Sequence, residues 1–202
     1  MMNPVPWLQM TNMISYQGLV RTFPSSFVYV HYYPTQNDED KTMPNGYDLI
    51  DAARSQLNVK EEPLNSNSGP MVNTYLDYVG SPSGSPWCMA FIYWCSCQAG
   101  IPGLPKTASV AKFYQESLAH GKIINISDIA VGDIVLRVDY PAQSNGKKPG
   151  DHAGIYTGKN KAGIPLYISG NTVSTNPVVT DETSSYVDEH QMKHFNYAAR
   201  FW

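Results

Sequence analysis

The sequence predicts an α+β fold in which helices pack on one face of an antiparallel sheet. Between Tyr47 and Gly121 apolar residues recur at helical spacing, in blocks that stop at glycines. Beyond Gly121 that period gives way to short β-branched and aromatic runs separated by turn residues. Helices first and strands second is the order of α+β domains, not of alternating α/β ones. With 202 residues the chain is long enough for one substantial core.

Residues 1–46 stand apart. They hold Pro4, Pro6, Pro24 and Pro34, a strand candidate at Ser26–Tyr33 and the acidic loop Asn37-Asp38-Glu39-Asp40. In Phe27–Tyr32 apolar and aromatic side chains fill both faces, as in a covered strand. The segment reads as an N-terminal extension that adds a strand to the main sheet or serves docking or delivery. The main domain is expected over residues 47–202.

Leu49, Ile50, Ala53 and Leu57 mark a first amphipathic helix. A second begins with Pro70 at its first position, where a missing N–H costs nothing, presents Met71, Val72, Tyr75, Leu76 and Val79, and ends at Gly80. A turn-rich stretch, Gly80–Pro86, then runs into the apolar segment Trp87–Ala99, which has helix length and stops at Gly100. A fourth helix extends from a Ser109 cap to His120, with Val110, Phe113 and Leu118 inward and Gly121 as its stop. Strands are expected at Asp133–Val138, His152–Thr157 and Ile164–Ser169, with a closing strand in His194–Trp202. Pro165 sits near a strand start, where a missing donor is tolerable.

The net charge of −3 gives no basic footprint, which argues against nucleic acid and against strong attraction to anionic polymers or membranes. No stretch approaches the ~20 apolar residues of a membrane span. Met1–Met13 lacks a basic region followed by an apolar core, so no secretory signal peptide is expected and synthesis is expected in the cytoplasm. Three cysteines cannot all pair, and Cys95 and Cys97 share a helix with Cys88, which suits a reducing compartment. Cys-x-Cys within a helix is not a zinc spacing, and no metal or other cofactor is expected.

Cys88 falls in the first turn of its helix, where unpaired N–H groups and the helix dipole favour a thiolate. Cys95 and Cys97 read as small hydrophobes of the same helix. A cysteine nucleophile needs a base and a group that orients the base. Of His31, His120, His152, His190 and His194, only His152 opens a strand directly after a loop, Lys147–Asp151. If the strands on either side of Lys159–Gly163 pair about that turn, opposed residues have numbers summing to about 323, and His152 faces Asn171. An Asn oxygen there would accept the imidazole N–H and fix its tautomer.

The chain from Tyr47 onward resembles the CHAP-type amidohydrolase/peptidase domains of the NlpC/P60 cysteine-peptidase superfamily. Trp87-Cys88-Met89-Ala90-Phe91 is similar to its Trp-Cys-Ala-x-Phe nucleophile helix, and Val59-Lys60-Glu61-Glu62-Pro63 to its upstream G-V-K-E-x-P-G stretch. Val131–Val135 resembles P-G-D-I-V, Asp151–Tyr156 resembles G-H-V-G-I-Y, and Ser169-Gly170-Asn171 resembles G-G-N. Gly69-Pro70 stands in place of the usual Asn-Pro, Thr172-Val173 in place of Gln-Ser, and residues 1–46 have no counterpart.

The resemblance implies a papain-like fold and a triad of Cys88 as nucleophile, His152 as base and then acid, and Asn171 as orienter. It implies hydrolysis of peptidoglycan amides, either at the sugar–peptide bond or within the stem and cross-bridge. With no wall-binding repeat and no leader expected, the setting would be a phage lysin, or a toxin delivered by a secretion apparatus and matched by an immunity protein. The alternative is an inactive module that binds peptidoglycan or a protein in the same cleft.

Overall fold

The computed structural model describes residues 43–141, 150–179 and 183–202. The strand candidate at Ser26–Tyr33, the acidic loop at 37–40, His31 and the loop residues Lys147–Pro149 lie outside the described residues. Contacts divide the chain into Met1–Met43 and Pro44–Trp202.

Helix α1 (Gly46–Arg54) starts at Asn45, whose side chain accepts from the Tyr47 N–H while Asp48 accepts from the Asn45 N–H. Leu49, Ile50 and Ala53 are buried, whereas Leu57 falls beyond the helix end, in a turn, and is partly exposed. Gly46 has no room for a side chain: a Cβ there would lie 2.9 Å from the Gly132 Cα. Helix α2 (Pro70–Val79) opens on Pro70 and ends at Gly80, whose φ of 70° no β-carbon obstructs. Helix α3 (Cys88–Ala99) buries nearly all its first turns and stops at Gly100. Helix α4 (Val110–Ala119) is capped by the Ser109 hydroxyl, which accepts from the Lys112 N–H. Leu118, expected inward, is half exposed, and Ser117 holds the inner position beside Val110 and Phe113.

Six strands form one antiparallel sheet: β1 (Ile123–Ile124), β2 (Ile134–Arg137), β3 (His152–Lys159), β4 (Pro165–Thr172), β5 (Tyr186–Gln191) and β6 (Tyr197–Ala199). Their order across the sheet is β1-β6-β2-β3-β4-β5. The architecture is α+β, with β1 and β5 as strands the hydrophobic pattern does not announce. The outer edge of β5 is covered by residues 58–61, through Asn58 N–H to Val187 O, Val187 N–H to Val59 O and Glu61 N–H to Ser185 O.

The main core lies between helices and sheet, where α3 sits against β3 and β4. Ala153, Ile155 and Ile168 point into it, as the period of two requires. A smaller cluster of Val135, Tyr156, Tyr167, Phe195 and Ala198 covers the opposite face. Among the described residues no helix is long and apolar enough to cross a membrane.

Candidate active site

Cys88 opens α3 and is 4% exposed. The preceding Trp87 caps no N–H with its side chain, so the first amides of α3 are not satisfied by a polar cap. Three backbone N–H groups act on the thiol: those of Cys88 and Met89 in its own turn and that of Ala153 in β3. Burial outweighs them and pushes the Cys88 thiol up from its ordinary value, so it rests protonated. This corrects the expectation that the helix N-terminus alone would favour a thiolate. Cys95, fully buried, is raised well above the ordinary range by burial, and exposed Cys97 is raised too.

The Ala153 amide ties the sulfur to the start of β3. An acceptor at hydrogen-bond distance from that nitrogen lies within ~6 Å of the His152 Cα, one peptide unit away. His152 is 9% exposed, its ring packed against Tyr167 and Phe195 at centroid distances of 6.3 and 6.4 Å. Its Nε2 is 3.1 Å from the Ser169 hydroxyl, and Ser169 is fully buried. Burial first, then the charges of Arg137 and His190, lower the His152 pKa to about 3, so the imidazole rests neutral.

The expected β3–β4 register holds at Ile155–Ile168 and Tyr156–Tyr167, and a bulge between Tyr156 and Gly158 shifts it by one, so that Gly158 faces Leu166 and Lys159 faces Pro165. It does not bring the Asn171 carboxamide onto His152. Asn171 lies at φ 55°, in a stretch where the β4–β5 register shifts between Ser169 and Thr172. Its amide nitrogen donates to Asn67 Oδ1 at 2.6 Å and to Glu61 Oε1 at 3.2 Å. Among the described residues no hydrogen bond joins Cys88 to His152, or His152 to Asn171. The sulfur, in the core on the helix side of the sheet, and the imidazole, packed with Tyr167 and Phe195 on the opposite face, flank the first residues of β3 with no hydrogen bond between them, while Asn171 belongs to a neighbouring polar cluster.

Glu61 is the centre of that cluster. It is 1% exposed and accepts four hydrogen bonds. Trp87 Nε1 donates at 2.8 Å and Asn171 Nδ2 at 3.2 Å to one oxygen. The Ser66 N–H donates at 2.7 Å and the Ser185 hydroxyl at 3.1 Å to the other. The Trp87 ring is in turn stacked on Tyr75 at 5.9 Å. Gly170 lets β4 approach that indole, because a Cβ there would lie 2.3 Å from the ring. Residues from four separated stretches thus fix the entrance of α3.

No family model matches the chain, and no solved structure matches it. A stretch of 23 residues is 96% identical to Protein YghO of Escherichia coli (strain K12), covering 11% of this chain and 6% of that protein. The chain spans a small fraction of that relative's length, and so short a match assigns no family.

Three residues enter the site without having been singled out in the sequence. Ser169 lies two residues before Asn171 on the same alternation, so either could have been set against His152, and only the positive φ at Asn171 separates them. Glu61 stood inside the Val59–Pro63 motif, but its contacts cross more than a hundred residues and no local pattern signals them. Arg137 was read as a strand residue, and it sits directly opposite His152 in the β2–β3 ladder.

Proposed function

We propose that the protein is a cysteine hydrolase of papain-like, NlpC/P60-type fold that cleaves amide bonds of bacterial peptidoglycan. The observation that supports this most is the Cys88 thiol at the start of α3, surrounded by three backbone N–H groups and one peptide unit from a neutral His152. The second support is the motif order Trp87-Cys88, Gly132-Asp133, His152, Gly170-Asn171 along the chain.

In this reading both groups start uncharged. The His152 ring first turns from the Tyr167–Phe195 face toward the sulfur and then takes the thiol proton as sulfur bonds to the amide carbon, and the oxyanion is held by the amide N–H of Cys88. Collapse breaks the C–N bond, the amine leaves with the proton from His152, and an acyl-thioester remains. Water, deprotonated by His152, then releases the acid and restores the thiol. In the resting structure Ser169, and not Asn171, holds the imidazole, through Nε2. Asn171 shapes the cleft wall through Glu61. The biological setting fits a toxin delivered to the wall of a rival cell, with a cognate immunity protein, or a phage lysin acting on its host.

Digestion of purified sacculi, with mass spectrometry of the fragments, tests the reading. Wild type is expected to release fragments bearing new amine ends. Cys88→Ala and His152→Ala are expected to lower the rate at least a thousandfold, as loss of a nucleophile or its base does. If wild type and Cys88→Ala release the same material, the cleft is an inactive binding module and the hydrolase reading fails.

A further inference from the structure

Asn67 and Asn171 each leave one hydrogen-bonding group unused, and Glu61 determines which. Asn171 Nδ2 donates to Glu61 Oε1 at 3.2 Å and to Asn67 Oδ1 at 2.6 Å, which engages both of its hydrogens. A carboxylate only accepts, so Asn171 must turn its NH2 group, not its oxygen, toward Glu61. That NH2 in turn requires an acceptor, so Asn67 must present its oxygen to Asn171. One buried carboxylate thus orients both amides. What remains is an acceptor, Asn171 Oδ1, and a donor, Asn67 Nδ2, neither of them hydrogen-bonded among the described residues. Both side chains are half-buried. Their backbones lie at φ 49° and 55°, a left-handed region that asparagine tolerates better than most residues.

The pair stands at the entrance of α3. The Glu61 oxygen that accepts from Asn171 also accepts from Trp87, the residue before Cys88. A Cβ on Gly170, the residue before Asn171, would run into the Trp87 ring and lie 3.1 Å from the Phe91 Cβ, one turn into the helix. The Asn67 carbonyl accepts from the Gly84 N–H at 3.0 Å, which ties its loop to the turn leading into α3. A fixed donor beside a fixed acceptor is the complement of an extended peptide, in which the N–H and C=O of one residue point to the same edge. We infer that Asn67 and Asn171 together hold the main chain of a peptide substrate beside Cys88, Asn171 Oδ1 accepting a peptide N–H and Asn67 Nδ2 donating to a peptide carbonyl. This rests on the hydrolase reading and narrows its substrate class to peptides with an unmodified backbone amide next to the one that is cut.

Calorimetry on Cys88→Ala, which lacks the nucleophile, reads binding without cleavage. The probes are the stem tripeptide L-Ala-γ-D-Glu-L-Lys and two analogues in which an ester oxygen replaces one or the other amide N–H. The tripeptide is expected to bind, and one of the two esters to bind about tenfold more weakly, because Asn171 Oδ1 then faces an oxygen. Asn67→Asp, added to Cys88→Ala, exchanges the outward Nδ2 for an oxygen and keeps the Oδ1 that accepts from Asn171, so it separates recognition from structure. In a chain whose circular dichroism matches wild type it should weaken tripeptide binding about tenfold. The loss should persist in about 0.5 M salt, which screens the added charge. Equal binding of the tripeptide and both esters, binding of none, full binding by the Asn67→Asp chain, or a loss that salt abolishes overturns the inference. Sacculus digestion by wild type reads the hydrolase separately. Digestion beside full peptide binding by the Asn67→Asp chain leaves the hydrolase and removes the pair from recognition, whereas no digestion beside the expected binding losses removes the hydrolase and leaves the pair.

Discussion

Two buried carboxylates, Glu61 and Asp133, are stabilised by opposite means. Asp133, fully buried at the start of β2, is paired with Arg200 in a fork: Arg200 Nε to Oδ1 at 2.8 Å and Nη2 to Oδ2 at 2.7 Å. It also accepts from the Ala130 N–H at 2.6 Å. Its bond raises the Arg200 pKa, and the guanidinium lies over Trp202, so the pair joins the chain end to the β2 turn. Glu61, equally buried, has no cation among the described residues and is held by four neutral donors. The difference teaches where charge is tolerated. At the Asp133 end the charges cancel and the contact is structural. At the Glu61 end the carboxylate is held, among the described residues, by neutral dipoles at the entrance of α3.

Breaking the paired end has the larger expected effect on stability. Asp133→Ala removes one partner of a buried ion pair, for which losses of about 3–5 kcal/mol are usual. Arg200 keeps a third of its side chain in solvent, so the loss belongs at about 3 kcal/mol, the low end of that range. Denaturant unfolding measures it, and a loss below about 1 kcal/mol, the range of exposed pairs, would mean that the fork contributes no more than a surface ion pair.

Glu61→Gln is the sharper probe of the unpaired end, because the substitution keeps shape and removes only charge and one acceptor. Each Glu61 oxygen faces one donor that cannot reverse its role: the Trp87 indole N–H on one side and the Ser66 amide on the other. Whichever way the new amide turns, its NH2 group meets a fixed donor. A loss of about 2 kcal/mol is expected, the cost of an unsatisfied buried group. Trp87 fluorescence should shift with it, since the indole loses its acceptor. An unchanged spectrum and unchanged stability would show that the four bonds to Glu61 are interchangeable with water.

Much of this arrangement was readable before folding, and the unreadable part has a common physical cause. Helices α2, α3 and α4 announce themselves because Pro70, Ser109, Gly80 and Gly100 are local signals, each acting within one turn. The Ile155–Ile168 register follows from the short connection between β3 and β4. Strand β5 does not announce itself, because Asp188, Glu189 and His190 occupy a strand whose neighbours, Thr157, Ser174 and Thr175, supply the polar partners. Cys88 and His152 were legible as a terminal turn and a strand start. The destination of Asn171 was not, because a backbone at φ 55° leaves the alternation on which the pairing argument stood. Glu61 shows the same limit, since a carboxylate held by donors from distant stretches carries no periodic trace.

The contrast between the two ends extends to acid, where the effect is absent at neutral pH and grows as the pH falls. His152 is held at about 3 in the folded chain against an ordinary value of 6.5, mainly by burial. Between those values the unfolded chain binds a proton that the native chain refuses, so unfolding is favoured as pH falls. The stabilising effect of a neutral His152 is complete above about pH 6.5 and is lost progressively toward pH 3. His152→Gln removes the titrating ring while keeping a polar side chain opposite Ser169. Its unfolding midpoint should therefore fall less steeply than that of wild type across this window, and the two curves should run parallel above it. Curves that stay parallel down to pH 3 would mean that the ring reaches solvent and titrates freely in the native chain, leaving Arg137 and Glu61 as the charges that set the character of this end.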